Sequence, residues 1–169
     1  IDQSIAKPSV TAEAAILMDA ATGQILFEKN ADEKLYPAST TKLMTSLLAA
    51  EKLNLTDTVK FNSSAVNGLE SGATTAGMKA GDTMSVNDAL HAVLLRSACE
   101  VANALGESVS GSASSFAAIL NQKAAELGCT NTHFENASGL NNSNHYTTVR
   151  DMALITRAAL ANDTVRTIS

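Results

Sequence analysis

Apolar residues recur along this chain with two spacings, one typical of β-strands and one typical of α-helices. Two short apolar runs, 14–19 and 24–28, flank the turn residues Thr22 and Gly23, which predicts a β-hairpin on one sheet. A further brief extended piece is predicted at 57–61. Most of the remaining chain places its apolar residues three or four positions apart, which indicates a helix-rich α/β protein.

Five segments have this helical pattern, and several begin or end at residues that favour a helix terminus. Ser85 and Thr148 stand at N-terminal capping positions, each followed by an aspartate three residues later, and Gly128 is a normal helix stop. Pro37 is well placed just before a helix that begins near Ser39. The predicted helices cover about 39–53, 85–94, 97–105, 114–127 and 148–160.

Small and polar residues mark the segments between the predicted elements. The segment 62–81 is rich in serine, threonine and glycine and predicts a long loop with some helical turns, of the kind that often carries function. The segment 136–144 is a second, turn-rich loop, and residues 1–11 are a polar lead-in. Because neither a repeat nor a linker divides the chain, residues 1–169 are interpreted as one unit without a second domain.

The composition argues against several classes of protein. With 45% hydrophobic and 17% charged residues the chain can bury a core, and a net charge of −5 without a basic cluster argues against nucleic-acid binding. No apolar run is long enough to span a membrane, and the N-terminus does not read as a signal peptide. Cys99 and Cys129 are too few and too far apart for a metal site or a disulfide framework. We expect no bound metal, and separately we expect no cofactor.

The stretch 36–45 (YPASTTKLMT) holds the first candidate chemistry. Ser39 and Lys42 are three residues apart, so on the first turn of the predicted helix the hydroxyl and the amine project from the same face. A serine is a good nucleophile only when a neighbour accepts its proton, and a lysine can do so where its surroundings favour the neutral amine. Burial and the positive end of the helix dipole both act in that direction, which predicts a nucleophile beside its base.

A Ser-x-x-Lys spacing by itself is weak evidence for a catalytic pair. The chain holds a second copy, Ser4 to Lys7, which runs into Pro8 and is interpreted as a chance match. For Ser39 and Lys42 the competing interpretation is a helix-capping serine and a solvated helix charge. Further motifs are needed to decide between the two.

Two further blocks follow in order along the chain. They are 94–102 (LLRSACEVA) and 139–153, which begins with Gly139-Leu140 and ends with HYTTVRDMA. Together with 37–42 they resemble the penicillin-binding D-alanyl-D-alanine carboxypeptidases of bacterial cell-wall metabolism, within the superfamily that includes the serine β-lactamases. The resemblance extends from about Ala15 to Arg157, and the combination is far more specific than any single block.

The resemblance implies a fold and a role for each matching residue. The fold is the β-lactamase/transpeptidase-like α/β architecture, here a helical subdomain with the first strands of an antiparallel sheet. Ser39 would attack the carbonyl between the two terminal D-alanines of a peptidoglycan stem peptide and form an acyl-enzyme, with Lys42 as base. Ser97 would complete a proton-relay network, and residue 99 would face the substrate. The backbone N–H of Ser39 would supply half of an oxyanion hole, and β-lactams would acylate Ser39 stably.

Cys99 is the first departure from the family, which normally has asparagine there. An amide offers both a donor and an acceptor, whereas a thiol is weak at both. Cys99 is therefore either an active-site substitution that tunes turnover or a small buried hydrophobe on a helix. The segment 85–87 does spell Ser-x-Asn, but it lies at the predicted start of the preceding helix and is interpreted as a decoy. The resemblance places Ser138 in the cleft, although an ordinary turn serine fits equally well.

The Lys-Thr-Gly element of the family is the second departure, because it occurs nowhere in the chain. In the family it lies on a strand beyond the last helix predicted here, and it contributes the carboxylate-binding site and the rest of the oxyanion hole. The chain is therefore interpreted as an incomplete penicillin-binding domain without the C-terminal strands. Its helices would expose apolar surface, and the 169 residues alone are expected to have little or no carboxypeptidase activity.

Other functions remain open on the residues alone. A serine β-lactamase would need fast deacylation, and Glu70 and Asp82 are candidate general bases that read more simply as solvated loop charges. His133 and His145 are interpreted as surface or packing residues rather than catalytic ones. A non-catalytic sensor of cell-wall peptides or β-lactams is a third alternative, motivated by Cys99.

The resemblance also implies where the protein works and what it binds. The expected location is outside the cytoplasm, in the cell wall or on the outer face of the cytoplasmic membrane. Contact with the membrane would be made only through a C-terminal anchor that this sequence does not contain. The expected partners are the peptidoglycan stem peptide and β-lactam antibiotics.

Overall fold

Four short strands and seven helices make up the fold that the computed structural model describes for residues 8–169. The Ser4 to Lys7 copy and most of the predicted lead-in lie outside the described residues. The strands are β1 Ala15–Met18, β2 Ile25–Lys29, β3 Thr58–Lys60 and β4 Thr83–Ser85. The helices are α1 Thr41–Lys52, α2 Ser63–Val66, α3 Val86–Arg96, α4 Cys99–Ser110, α5 Ala113–Glu126, α6 Val149–Ala161 and α7 Asp163–Ile168, and a 3₁₀ turn, Ala38–Thr40, precedes α1.

The predicted hairpin is confirmed, since β1 and β2 pair antiparallel with Ala15 opposite Lys29. Its turn is set by side-chain chemistry, because Asp19 Oδ1 accepts hydrogen bonds of 2.7 Å from both the N–H and the hydroxyl of Thr22. Gly23 follows with a φ of +77°, a conformation that a residue with a Cβ rarely adopts. β1 also packs against α6, which ties the hairpin to the helical part of the molecule.

A second antiparallel pair, β3 with β4, aligns Thr58 with Ser85. β3 is the extended piece predicted at 57–61, but the sequence pattern does not predict β4. Three residues are too few to show an alternating pattern, and Ser85 also caps α3, since its hydroxyl accepts a hydrogen bond of 3.0 Å from the N–H of Asp88. The cap gives Ser85 a structural role at the start of α3, where 85–87 spells Ser-x-Asn.

The core lies between the helices, with α4 at its centre in contact with α1, α2, α3 and α5. Small residues let the helices approach closely. A Cβ placed on Gly106 of α4 would lie 2.6 Å from the ring of Phe116 on α5. The largest apolar side chains of this core are fully buried, and they are Phe61, Phe116, Phe134, Met44, Leu47, Leu48, Leu90, Leu105, Leu120 and Ile155.

The predicted cap at Thr148 and the predicted stop at Gly128 are confirmed, whereas α4 extends to Ser110, beyond the predicted end at 105. Thr148 caps α6 by accepting a hydrogen bond of 3.1 Å from the N–H of Asp151, and Gly128 follows α5 with a φ of +82°. α7 was not predicted, because the apolar stripe of the preceding helix stops at Leu160. A side-chain cap starts α7, since Asn162 Oδ1 accepts a hydrogen bond of 3.1 Å from the N–H of Val165.

An apolar groove of about 450 Å³ lies between β1 and α6. Ile16 and Met18 line it from the strand, and Met152 and Leu160 line it from the helix. Leu17 of β1 also borders this groove and is 52% exposed. The molecule therefore has exposed apolar surface beside the hairpin. Within residues 8–169, none of the helices has both the length and the apolar character that crossing a membrane requires.

Leu90 and Leu95 lie on the same helix, α3, but Leu90 is fully buried and Leu95 is 61% exposed. We expect Leu90→Ala to lower the free energy of unfolding by about 2–5 kcal/mol, because it leaves a cavity in the core. Leu95→Ala is the matched control and is expected to change it by less than about 0.5 kcal/mol. Urea denaturation followed by circular dichroism measures both, and equal losses in the two variants would contradict the described packing.

Candidate active site

Ser39 lies in the 3₁₀ turn that precedes α1, and its side chain is exposed. The helix itself begins at Thr41, two residues later than the predicted start. Ser39 is therefore not a helix cap. The residues that flank these helix starts, Pro37 and Thr40, make no side-chain capping hydrogen bond either. The turn presents the hydroxyl of Ser39 at the surface, while the next turn of the chain enters the core.

Lys42 is buried, with only 3% of the residue exposed, so it is not a solvated helix charge. Its Nζ donates a hydrogen bond of 3.1 Å to Ser39 Oγ and one of 2.6 Å to the backbone carbonyl of Ser138. The predicted pairing of hydroxyl and amine on one face is thus present. A lysine Nζ within hydrogen-bonding distance of a serine hydroxyl has the geometry of a base beside a nucleophile.

The 136–144 loop packs against the Ser39–Lys42 pair and supplies the second hydrogen-bond partner of Lys42. Ser138 contributes its backbone carbonyl, and its own hydroxyl contacts Asn136 Oδ1 at 3.4 Å. Asn136 shapes the loop, because its Oδ1 also accepts a hydrogen bond of 2.7 Å from the N–H of Gly139. One helical turn beyond Lys42, the hydroxyl of Thr45 donates to the carbonyl of Ala137 at 2.7 Å. Sequence reasoning placed Ser138 in the cleft but could not distinguish a contact by its carbonyl from one by its hydroxyl.

The 3₁₀ turn Ala38–Thr40, here called the serine turn, is in backbone contact with the 136–144 loop through Ala38 and Gly139. A Cβ on Gly139 would lie 1.8 Å from the carbonyl oxygen of Ala38, and Gly139 has a φ of +81°. Ala38, directly before Ser39, has a φ of +48°, which is an unfavourable backbone conformation for alanine. Backbone strain of this kind often marks functional sites, and here it lies next to the proposed nucleophile.

His145 lies under the start of α1 and is 1% exposed. Its Nδ1 accepts a hydrogen bond of 2.9 Å from the N–H of Glu135, and its Nε2 lies 2.8 Å from the hydroxyl of Thr41. Burial, and to a smaller extent the charge of His133, lowers the pKa of His145 from 6.5 to about 4. The histidine is therefore buried and bonded at both ring nitrogens, and its contact with Thr41 could not be predicted from the sequence.

Ser97 and Cys99 lie at the junction between α3 and α4. Ser97 ends α3 in the left-handed conformation, with a φ of +56°. Among the hydrogen bonds of residues 8–169, none joins the Ser97 hydroxyl to Ser39 or Lys42, so its relay role stays a prediction. Cys99 begins α4 with its thiol 3.8 Å from the Ser97 carbonyl, and the residue is 4% exposed.

The long 62–81 loop is tied to both sides of this region by carboxylates. Glu100, buried in the first turn of α4, accepts hydrogen bonds from the N–H groups of Ala76 and Met78 at 2.6 and 3.3 Å. Glu70 accepts one of 2.9 Å from the N–H of Asn141. Glu100 cannot be identified from the sequence, since one acidic residue in a helical pattern gives no signal of a distant backbone partner.

The two candidate general bases of the loop have structural contacts. Glu70 is engaged with Asn141, and Asp82 accepts a hydrogen bond of 2.8 Å from the N–H of Lys79 within its own turn. Neither makes a hydrogen bond to Ser39 or Lys42 in the part of the chain that the structure describes. In that same part, no three His, Cys, Asp or Glu side chains are grouped in a way that could hold a metal ion.

The sequence matches one family, Peptidase_S11, described as D-alanyl-D-alanine carboxypeptidase, over residues 1–169. The chain belongs to the D-alanyl-D-alanine carboxypeptidase family. This confirms the resemblance on which the assignment of the motif residues was based. The roles of Ser39, Lys42, Ser97, Cys99 and Ser138 remain predictions for the individual residues.

Relatives of this carboxypeptidase-family chain are considerably longer. D-alanyl-D-alanine carboxypeptidase DacC of Escherichia coli (strain K12) is 42% identical over 167 residues, which cover 94% of this chain and 42% of that protein. D-alanyl-D-alanine carboxypeptidase DacF of Bacillus subtilis (strain 168) is 34% identical over 159 residues, which cover 91% of this chain and 40% of that protein. The chain thus spans about two fifths of the length of these relatives.

Solved structures confirm the fold class of this carboxypeptidase-family chain. Penicillin binding protein 6B from Escherichia coli superposes with a TM-score of 0.89 at 29% identity, covering 96% of this chain and 54% of that one. The D-alanyl-D-alanine carboxypeptidase DacD from Francisella tularensis gives a TM-score of 0.87 at 34% identity, covering 93% of this chain and 38% of that one. The fold is α/β and transpeptidase-like, helix-rich with small antiparallel sheets.

Gly139 offers a test of the contact between the loop and the serine turn. We expect Gly139→Ala to lower the free energy of unfolding by about 2–5 kcal/mol, because its Cβ meets the Ala38 carbonyl and its φ is positive. Gly111→Ala is the matched control, since Gly111 has a φ of +85° but open space around its Cβ position. Gly111→Ala should lower the free energy of unfolding by only about 1–2 kcal/mol. Similar losses in a urea titration of both variants would show that the close approach is not required.

His145 predicts a pH dependence of stability. Its folded pKa of about 4 lies below the unfolded value of 6.5, so between these values the unfolded chain binds the additional proton. Stability is therefore lost as the pH falls through this window, by roughly 3 kcal/mol for this one group. Urea titrations at several pH values between 4 and 7.5 measure the loss. His145→Gln, which has no titratable ring, should show a smaller loss than the parent, and an equal loss would contradict the assignment.

Proposed function

We propose that this chain provides the nucleophile side of a serine D,D-carboxypeptidase that removes the terminal D-alanine from peptidoglycan stem peptides. The observation that carries the proposal is the contact of 3.1 Å between Lys42 Nζ and Ser39 Oγ, in a chain that belongs to the carboxypeptidase family. The exposed hydroxyl is open to a substrate, and the buried amine beside it is shielded from bulk water.

In the proposed reaction, Ser39 Oγ attacks the carbonyl carbon of the bond between the last two D-alanines, while Lys42 accepts the hydroxyl proton. The bond to the leaving D-alanine breaks as its nitrogen takes up a proton, which leaves an ester between Ser39 and the shortened stem peptide. Water then hydrolyses this ester and restores the hydroxyl. Positioned proton transfer of this kind typically contributes ~10²–10⁴ in rate.

The neighbouring residues have supporting roles in this proposal. The backbone N–H of Ser39 stabilises the negative charge on the attacked carbonyl oxygen. Ser97 relays a proton between Lys42 and the leaving nitrogen after a side-chain rotation, and Cys99 borders the substrate beside it. The carbonyl of Ser138 orients the Lys42 amine toward Ser39, which is supported by its hydrogen bond of 2.6 Å.

The chain does not contain every group that such an enzyme needs. It has no Lys-Thr-Gly sequence, the element that the family uses to bind the substrate carboxylate and to complete the oxyanion hole. We therefore propose that catalysis requires residues beyond these 169, in a longer protein that works outside the cytoplasm. The groove between β1 and α6 supports this view, because it exposes apolar surface where further structure can pack.

A long-lived acyl-enzyme with β-lactams is part of the proposal and separates it from a β-lactamase. Fast release of the acyl group needs a base that activates water next to the ester. Glu70 and Asp82 are engaged with backbone N–H groups of Asn141 and Lys79, which argues against either as that base. A carboxypeptidase of this kind is therefore expected to keep a penicillin adduct for much longer than a β-lactamase would.

Penicillin labelling of the full-length natural protein that contains this sequence tests the proposal. We expect mass spectrometry to locate a stable penicilloyl adduct on Ser39. Lys42→Ala should lower the acylation rate by roughly 10²–10⁴-fold, because the hydroxyl loses its proton acceptor, and Ser39→Ala should abolish labelling.

Ser4→Ala is the matched control, because Ser4 and Lys7 have the same spacing and the variant should label like the parent. An adduct on a residue other than Ser39, or unchanged labelling of Ser39→Ala, would falsify the proposed function. Turnover of penicillin with an adduct that disappears within seconds would instead favour the β-lactamase alternative.

A further inference from the structure

The interior side of the serine turn has a contact that the proposed reaction does not use. Thr41 stands between Ser39 and Lys42 in the chain, and it is completely buried. Its hydroxyl lies 2.8 Å from His145 Nε2. His145 is 104 residues away in sequence, so this contact joins the first residue of α1 to the far end of the 136–144 loop.

The hydrogen bonds around His145 determine which ring nitrogen carries the proton. Nδ1 receives the backbone N–H of Glu135 at 2.9 Å, so it must be the unprotonated nitrogen. Nε2 then carries the hydrogen and donates it to the hydroxyl of Thr41. The imidazole is thus neutral and bonded at both nitrogens, which fixes its orientation.

The imidazole ring of His145 also packs against a core side chain. The ring of Phe134 packs edge-on against that of His145, with 5.5 Å between the centroids. Phe134 is itself anchored to α5, because its N–H donates to Asn121 Oδ1 at 2.8 Å and its carbonyl accepts from Asn121 Nδ2 at 2.8 Å. A continuous set of contacts therefore extends from α5 through Phe134 and His145 to Thr41.

We propose that His145 is a positioning residue for the Ser39–Lys42 pair, holding the turn in place through Thr41. The inference rests on the proposed function. Thr41 is the residue at which the 3₁₀ turn passes into α1, so a rotation there would move Ser39 and Lys42 relative to each other. The ring does not touch the reacting atoms. It acts by keeping the nucleophile and its base at hydrogen-bonding distance.

The test measures the rate of acylation by a fluorescent penicillin in the full-length natural protein that contains this sequence. His145→Phe keeps the ring but removes both hydrogen bonds, and we expect a rate about 10–100-fold lower, as for small misplacements of catalytic groups. His145→Gln supplies an amide that can accept from Glu135 and donate to Thr41, and it should recover most of the rate.

Thr41→Val removes the hydroxyl that contacts His145, with little change in side-chain volume. We expect a similar decrease in the acylation rate. The double variant His145→Phe with Thr41→Val should be no slower than the slower single variant, because both remove one interaction. Thr156→Val and His91→Phe are matched controls. Within residues 8–169, the Thr156 hydroxyl and the His91 ring each bond to a carbonyl four residues earlier in their own helices and to no other group, so both variants should acylate like the parent.

Nitrogen-15 NMR of the histidine rings provides a readout that does not depend on activity. At neutral pH we expect His145 to show a protonated Nε2 and an unprotonated Nδ1, with the Nε2 signal shifted in Thr41→Val. The opposite tautomer, or no change in Thr41→Val, would overturn the inference. So would parent-like acylation by folded His145→Phe and Thr41→Val, effects that multiply in the double variant, or a failure of His145→Gln to recover rate.

The outcomes distinguish this inference from the proposed function. If the parent protein is not acylated at Ser39, the proposed function fails, and the positioning role fails with it. If the parent is acylated and the His145 and Thr41 variants are acylated equally fast, the proposed function stands and only the positioning role is rejected. If His145→Phe does not fold, Thr41→Val and His145→Gln still decide, because both are conservative in volume or in hydrogen bonding.

Discussion

The buried amine of Lys42 is the feature on which the candidate site depends. Placing a lysine nitrogen in the interior is unfavourable unless other groups replace its hydration. Here the replacement comes from the Ser39 hydroxyl and the Ser138 carbonyl. In the described part of the chain no carboxylate lies within ion-pair distance of Lys42. The amine therefore has a hydroxyl and a carbonyl as its polar partners.

This arrangement requires two separate segments to meet closely. The serine turn places Ala38 at a positive φ, and the opposing loop has Gly139 where no Cβ can be accommodated. Thr45 and Thr41 extend the same contact along α1 through hydrogen bonds to Ala137 and His145. Strain in the turn is thus balanced by a row of buried polar contacts, each made by a residue one position or one helical turn from the next.

The sequence was sufficient for those parts of the structure that depend on local patterns. The hairpin around Thr22 and Gly23, the cap at Ser85 and the Ser-x-x-Lys pair all arise from residues within a few positions of one another. β4 was missed because its partner strand is distant and its three residues have no pattern of their own. The helix start was placed two residues early, since spacing alone does not distinguish a 3₁₀ turn from the first turn of an α-helix.

The long-range contacts of the site could not be predicted for a related reason. Nothing near Glu100 in the sequence indicates that its carboxylate holds the N–H groups of Ala76 and Met78. The sequence likewise gives no sign of the hydrogen bond between Thr41 and His145, because it joins two common residue types across most of the chain. Such contacts depend on how the helices pack. A single sequence shows which face of each helix is apolar, but not which side chains that face meets.

The 136–144 loop meets α1 through main-chain carbonyls, and this has an evolutionary consequence. The carbonyls of Ala137 and Ser138 remain in place whatever side chains these residues have. Ala137 and Ser138 are both buried, so an exchange between small side chains at these positions keeps the two carbonyl contacts with α1. The volume available in the core therefore limits the sequence of this part of the loop more than the contact with α1 does.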